Sequence, residues 1–429
     1  MPQKLQRSIS RRRAIRGAGA AAVALLAPEA ITGFPAVRAE EDKVLRYLGT
    51  AVNQSADIAR KVKEDTGITI AYIPVTTDDV TRRVITQPNS FDVVDTEYFS
   101  LRKLVPSGNM LAMDGKRIKN FDKITPVFTK GTLPSGKRIG DQGTAPKKVM
   151  FLEGENSTKF AGCSTRWATL IPTVYYADTL GIRPDLIKRP ITNWKELLNP
   201  EFKGKAAILN IPSIGIMDAA MVVESLGEYR YPDKGNMTRA EIDRTMKVLT
   251  EAKKAGQFRA FWKDFNESVN LMASGETVIQ SMWSPAVTAV RSKGIACTYQ
   301  PLAEGYRAWA AGFALSKGIK GTKKADLAYE FVNWFLDGWA GAYLNRQGYY
   351  AAVLETAQAN MEPYEWAFWM EGKPADKDIK APDGTLLEKA GTARDGGSFE
   401  ARMGAVACWN AVMDENDYMV RKWNEFIAA

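Results

Sequence analysis

A few residues in this chain combine suitable chemistry with a suitable position for holding a small molecule. Thr50 and Asn53 follow the β-rich run VLRYLG, Glu97 and Tyr98 end the run FDVVDTEY, and Trp283 ends TVIQSMW just before Ser284-Pro285. A carboxylate pairs with an ammonium group, hydroxyls and amides orient it, and an indole face packs on alkyl chains while attracting cations. That is the chemistry of binding. Catalytic chemistry is harder to assemble. The 429 residues contain no histidine, which excludes histidine-based triads, His-ligated zinc and imidazole proton shuttles. No GxGxxG follows the first strand, no GxSxG elbow occurs, and Cys163, Cys297 and Cys408 are too far apart for a CxxC site or an iron–sulfur cluster. The cysteines read as mostly buried thiols, with room for one disulfide in an oxidising compartment. Carboxylates are plentiful, but no pair is singled out as a glycosidase-like dyad. Neither a metal nor a cofactor is expected, and the chain reads as a non-enzyme.

The elements that position these residues alternate. VLRYLG (44–49) is a predicted strand, SADIARKVKEDTG (55–67) a helix ending at Gly67, and ITIAYIPV (68–75) and FDVVDTEY (91–98) further strands. Such βαβ units imply an α/β fold with a mostly parallel sheet, whose ligands collect beyond the carboxyl ends of the strands. Residues 132–160, rich in Gly, Lys and Thr and without a period, are predicted to be a long surface excursion. A second α/β region follows. NWKELL is predicted helical, Asn199-Pro200 a turn, 206–211 a strand, Pro212-Ser213 the start of a helix to about Leu226, 240–256 a helix and TVIQSMW a strand. GFALSKG is strand-like. KKADLAYEFVNWFLDGWAGAYLNRQGYY reads as one long helical segment closing on Gly348, with Leu327, Phe331, Trp334 and Phe335 spaced as core. The final run VACWNAVMDENDYMVRKWNEFI is predicted as an amphipathic helix.

The N-terminus sets the compartment. A basic cluster from Arg11 to Arg16 precedes a short Gly/Ala/Leu stretch, and Val37-Arg38-Ala39 has the small residues of a signal-peptidase site. Ser10-Arg11-Arg12 followed by Ile15 and Arg16 fits the twin-arginine export pattern, so residues 1–39 read as a signal and the mature protein as periplasmic. Its apolar run is too short for a bilayer, which takes roughly 20 residues. Removing it leaves 51 basic residues (58 less seven) and 48 acidic ones (49 less one), so the net charge falls from +9 to +3. A nucleic-acid partner has little support. The length, with 45% hydrophobic and 25% charged residues, fits two globular lobes.

Six pieces then occur in one order: FDVVDTEYFSLRKLVPSGNM, RWATLIPTVYYADTLGI, ITNWKELLNPEFKGKAAILN, ASGETVIQSMWSPAV, WAAGFALSKGIKGTKKADLAYEFVNWFL and NRQGYYAAV. In these the chain resembles periplasmic solute-binding proteins of ABC importers, in the spermidine/putrescine-type branch, over most of residues 44–355. The resemblance implies a type II-like two-lobe periplasmic-binding-protein fold whose lobes, joined by crossing strands, close on ligand. Lobe 1 would span 40–165 and about 306–345, lobe 2 166–305, and 346–429 would be a helical extension packing on the lobes. It further implies a monomer that delivers a small molecule to an ABC permease and its ATPase. Residues 132–160 and the long C-terminal tail have no clear counterpart.

The same resemblance places Trp167, Trp283 and Trp309 around the ligand and makes Trp283 pocket wall. Acids that a polyamine would need are replaced: Ala286 stands where W-x-G-D would have Asp, Ala310 and Ala311 follow Trp309, and Pro212-Ser213 follow the 206–211 strand, leaving Ser213 as the polar candidate there. Burying an uncompensated ammonium is costly, so the ligand class widens from polyamine to a betaine or amino-acid-like zwitterion. Arg166, beside Trp167, could hold its carboxylate, or could face solvent or pair with an acid across the hinge. Glu97 could serve one amine. A ferric-ion binder on the same fold is an alternative, using Tyr175-Tyr176 and Tyr349-Tyr350, with alternation sending one of Tyr175 and Tyr176 to the core. A twin-arginine-exported enzyme is another.

Overall fold

In the computed structural model, residues 43–381 and 383–429 are described; the export signal read at 1–39 lies outside them. The first half follows its sequence signals closely. Strand β1 is Val44–Gly49, β2 Thr69–Pro74 and β3 Val93–Glu97, with helices α1 (Ala56–Thr66) and α2 (Thr77–Thr86) between them. Ser55 caps α1 by accepting from the Asp57 amide, and Gly67, at φ 76°, ends it in the left-handed turn that favours glycine. β1 lies between β2 and β3, parallel to both.

The second half repeats this plan. Strand β4 (Ile171–Ile182) enters it, followed by β5 (Ala206–Leu209), helices α3 (Pro212–Ser225) and α4 (Arg239–Lys254), β6 (Phe258–Trp262), β7 (Ile279–Met282) and α5 (Ser284–Ser292). Strand β8 (Tyr306–Leu315) returns to the first half, and α6 (Lys323–Leu336) follows. The order β2-β1-β3-β8-β4-β7-β5-β6 makes one continuous sheet. Each end of it is parallel, and the two ends are joined by antiparallel β8 and β4. β4 is buried along all 12 residues. Its first part, with Val174, Tyr175 and Tyr176, belongs to one hydrophobic core, and Leu180 and Ile182 belong to another. This is a two-lobe α/β architecture with crossing strands. β4 therefore carries the chain from the one core to the other.

The tail departs from expectation. Val406–Trp409 is a strand, β9, not the start of a helix; only Asn416–Ala428 is helical, as α7. β9 pairs in parallel with the first residues of β8, along the edge that β3 leaves free further on, and Gln142–Gly143 pairs on its other side. A run as short as VACW takes the conformation its partner offers, and an open strand edge outweighs weak helical periodicity. Residues 132–160 are likewise no surface excursion. Leu133, Ile139, Val149, Met150 and Phe151 are in the first core. Trp423 and Phe426 of α7 join the second core, and Phe399 and Met403 the first, so the tail is built into both lobes rather than laid over them as a helical extension.

Smaller differences have local causes. The long helix breaks at Gly338, where φ is 116° and a Cβ would lie 2.1 Å from the Thr356 carbonyl oxygen; Trp339–Asn345 then forms a separate helix. Trp194–Leu198 is a 3-10 turn instead of a helix. Leu327, Phe331 and Phe335 are core as expected, whereas Trp334 is half-buried with its indole donating to Asp65 at 2.8 Å. Tyr175 and Tyr176 are both buried, because β4 is covered on both faces. All three cysteines are free: Cys163 is exposed, Cys297 and Cys408 buried.

Candidate functional site

Two strands end at one place on β8. β3 runs antiparallel to β8 and finishes with Glu97 opposite Ala311, while β9 runs parallel to it and is followed by Asn410, whose amide bonds Ala308. Directly paired residues share a face of the sheet, as do residues two apart, so Glu97, Ala311 and Trp309 point the same way. The Glu97 carboxylate thus stands beside the alanine that replaced an expected acid.

Glu97 is poorly satisfied. It accepts from Thr77 Oγ1 at 3.2 Å and from Asn410 Nδ2 at 3.4 Å, and among the described residues no lysine or arginine pairs with it. Burial raises its pKa to about 7, against weaker lowering by those two bonds and by the nearby Arg307 charge. A carboxylate that is half-open, strongly desolvated and, among the described residues, without a cation at ion-pair distance is suited to receive one.

Below it lies a buried ion cluster. Arg307, buried at the start of β8, donates to Asp218 on α3 at 2.7 Å and to Asn410 Oδ1 at 2.8 Å, with Asp178 of β4 at 3.5 Å. Tyr299 donates to Asp178 at 2.8 Å. Burial still raises Asp178 to about 6, opposed by Arg307. One arginine so ties both lobes and the tail.

The aromatic candidates gather around Trp309, further along the same face. Trp309 is opposite Tyr176 in the ladder and packs edge-on against Tyr349, with ring centroids 5.7 Å apart. Tyr349 also meets Tyr176 at 6.4 Å. Ser284, the residue after Trp283, donates to the Tyr176 hydroxyl at 3.1 Å, which brings the start of α5 to this group. Trp283 is half-buried and packs edge-on against Trp262 at 4.8 Å. Trp309, Tyr349 and Trp283 each keep part of their surface open. Thr50 is half-buried just past β1.

Other candidates are spent elsewhere. The Asn53 amide is fully buried and donates to Asp95 at 2.8 Å and Thr173 at 3.1 Å; Tyr47 completes the Asp95 contacts at 3.0 Å. Tyr98 is buried, with its hydroxyl directed to Met150 Sδ and the Leu170 carbonyl. Arg166 forks onto Asp114, with Nε 2.6 Å from Oδ1 and Nη2 on Oδ2, and lies over the Trp167 ring. Asp114 sits against Tyr329 of α6, so the Arg166–Trp167 pair belongs with that helix and touches none of Trp283, Trp309 and Tyr349. Ser213, at the start of α3, lines an interlobe cleft of about 920 Å³ with Phe99 and Ser100 of one lobe, Pro212 of the other and Val412 of the tail. Asn410, Thr77 and Arg394, whose Nη2 donates to the Tyr176 hydroxyl at 2.9 Å, were not foreseen. Nothing in the local sequence marks Asn410 or Arg394, since their places depend on the path of the tail. Thr77 carried one signal, its position at the start of a helix following a strand.

The ferric alternative finds no support here. Tyr175 is buried and Tyr349 partly so, and desolvation raises both phenols well above the ordinary range, the reverse of what a phenolate ligand needs. Among the described residues no three acids or cysteines are grouped to hold a metal.

Several solved structures share this fold. A candidate spermidine/putrescine ABC transporter protein from Listeria monocytogenes superposes with TM-score 0.63 at 13% identity, covering 90% of this chain and 99% of that one. A lipoprotein of Treponema pallidum gives 0.61 at 12% identity, covering 89% and 99%. The spermidine/putrescine substrate-binding protein of Streptococcus pneumoniae gives 0.58 at 13%, covering 90% and 98%. No curated protein sequence matches. Residues 57–360, well over half of the chain, match the profile of bacterial extracellular solute-binding proteins, and the chain belongs to that family.

Proposed function

We propose that this protein is the periplasmic receptor of an ABC importer, exported by a twin-arginine signal, and that it captures a small solute bearing a cationic nitrogen. The observation that carries the ligand class is Glu97: a desolvated carboxylate without a cationic partner among the described residues, on the same sheet face as Trp309. An ammonium group there would replace the missing counter-charge, and the half-open Trp309 and Tyr349 rings would cover its alkyl portion by cation–π and apolar contact. Hinge motion about β4 and β8 would close the lobes on it, and the closed form would be handed to a permease driven by its ATPase. Polyamines, betaines and amino-acid-like zwitterions all carry such a nitrogen.

Calorimetric titration and thermal shift with putrescine, spermidine, glycine betaine, 4-aminobutanoate, a neutral sugar and ferric iron test this. Binding to the native state raises the melting temperature by mass action. The expected result is a shift with at least one nitrogen cation that is lost in Glu97→Gln and reduced in Trp309→Ala. A shift with the sugar or iron alone would overturn the ligand class.

A further inference from the structure

Two arginines of the tail are buried without acids. Arg402 is completely buried and Arg394 is 8% exposed, yet among the described residues neither has a carboxylate at ion-pair distance. Arg402 gives one hydrogen bond, from Nη2 to the Asp395 carbonyl, while its Nε and Nη1 have no partner. Arg394 donates from Nη2 to the Tyr176 hydroxyl at 2.9 Å, and its Nε has none. The acids of the same segment, Glu388 and Asp395, both pair with Arg291 instead.

These donors surround the wall already described. The Arg402 guanidinium lies 5.3 Å from the Tyr176 ring centroid, so the two arginines flank one tyrosine. Tyr350 packs on Tyr176 at 4.9 Å, and its buried hydroxyl also lacks a partner. Tyr176 in turn stands opposite Trp309 and against Tyr349. Aromatic faces shield both guanidiniums, with Arg394 over Trp369 at 4.4 Å, but a ring face accepts none of the in-plane N–H groups. Buried donors are normally satisfied, and unpaired charged ones are the costliest to leave. Three guanidinium nitrogens and a phenol left unpaired around one ring call for an acceptor with negative charge.

We infer that Arg394 and Arg402, with Tyr176 and Tyr350, form a buried oxyanion site adjoining the Trp309–Tyr349 wall, taking a carboxylate or similar small oxyanion. Its source is either the carboxylate end of the captured solute or a free ion. The first source rests on the cationic-nitrogen reading of Glu97 and makes the solute a zwitterion: the oxyanion on the tail arginines, the nitrogen at Glu97 and the aromatic wall between them. The arginines would then give the recognition that the sequence suggested for Arg166.

The test is melting temperature of the purified protein at constant ionic strength, set with sodium chloride, during titration with acetate, inorganic phosphate, 4-aminobutanoate or putrescine. Acetate is expected to raise the melting temperature in a saturable way, and Arg394→Gln to weaken that dependence roughly tenfold to a hundredfold, the range of a charged hydrogen bond. Arg394→Lys keeps the charge and retains part of the effect, which separates loss of the site from loss of folding. If 4-aminobutanoate acts at least tenfold below acetate, and needs both Arg394 and Glu97, the solute supplies the oxyanion. If both act equally and Glu97→Gln changes nothing, a free ion occupies the site; the oxyanion site stands and the role given to Glu97 fails. An unchanged melting temperature in acetate and phosphate, or the same anion dependence in Arg394→Gln and Arg402→Gln as in the parent, overturns the site whatever becomes of Glu97.

Discussion

Glu97 and Asn410 meet 3.4 Å apart where β3 and β9, running in opposite directions, end against the same strand. The contact is long, and the amide carries no charge, so it satisfies the carboxylate only weakly.

Affinity for an amine should therefore depend on pH through Glu97. With the free carboxyl titrating near 7, binding of a cation should strengthen by roughly 15-fold from pH 5.5 to 7 and level off above, with a proton released on binding below pH 7. Titration calorimetry in two buffers of different ionisation enthalpy measures that proton. Glu97→Gln should flatten the profile, and equal profiles for the variant and the parent would remove Glu97 from the site.

Stability of the ligand-free protein should move the other way. Asp95 and Glu97, both raised to about 7 by burial, and Asp178, raised to about 6, hold protons in the folded state that the unfolded chain gives up near pH 4. Raised acid pKa values favour folding at low pH, so this contribution should decline as pH climbs from about 4.5 to 7. Thermal melts across pH 5 to 7.5 should show a falling midpoint, with a shallower slope in Glu97→Gln.

Arg307→Met should destabilise the protein by about 3–5 kcal/mol, because it strands Asp178 and Asp218 in the interior without their cation. Urea unfolding measures this directly. A loss below about 1 kcal/mol would mean that the cluster is open to water.

Arg166→Ala should leave solute affinity within about twofold and stability nearly unchanged, as befits a half-exposed pair with Asp114. Trp309→Ala should weaken binding several-fold to about thirtyfold, the span of a cation–π contact between open and desolvated settings. Comparing the two by calorimetry decides which tryptophan neighbourhood holds the ligand.

Much of this was legible in the sequence where local signals decide the outcome. β1 to β3, α1 and the opening of α3 at Pro212 follow from caps, glycines and alternation, and Glu97 stood out as a polar residue at a strand end. What failed was set by partners far along the chain. VACW became a strand because β8 had a free edge, and within 132–160 Gln142–Gly143 pairs with that distant strand while Met150 to Leu152 bond to residues 167–169. Arg166 looked available until folding brought Asp114, 52 positions earlier, onto its fork. The two tail arginines carry no local mark at all.

Arg307 pairs in register with Cys408, so the strand that seals the hinge is laid down about a hundred residues after the strand it seals. Until residues 406–409 have been added, the middle of the sheet presents a raw edge, and contacts so distant in sequence form slowly. A chain cut short before β9 would expose that edge permanently and should associate through it, so the last strand protects the protein from its own aggregation.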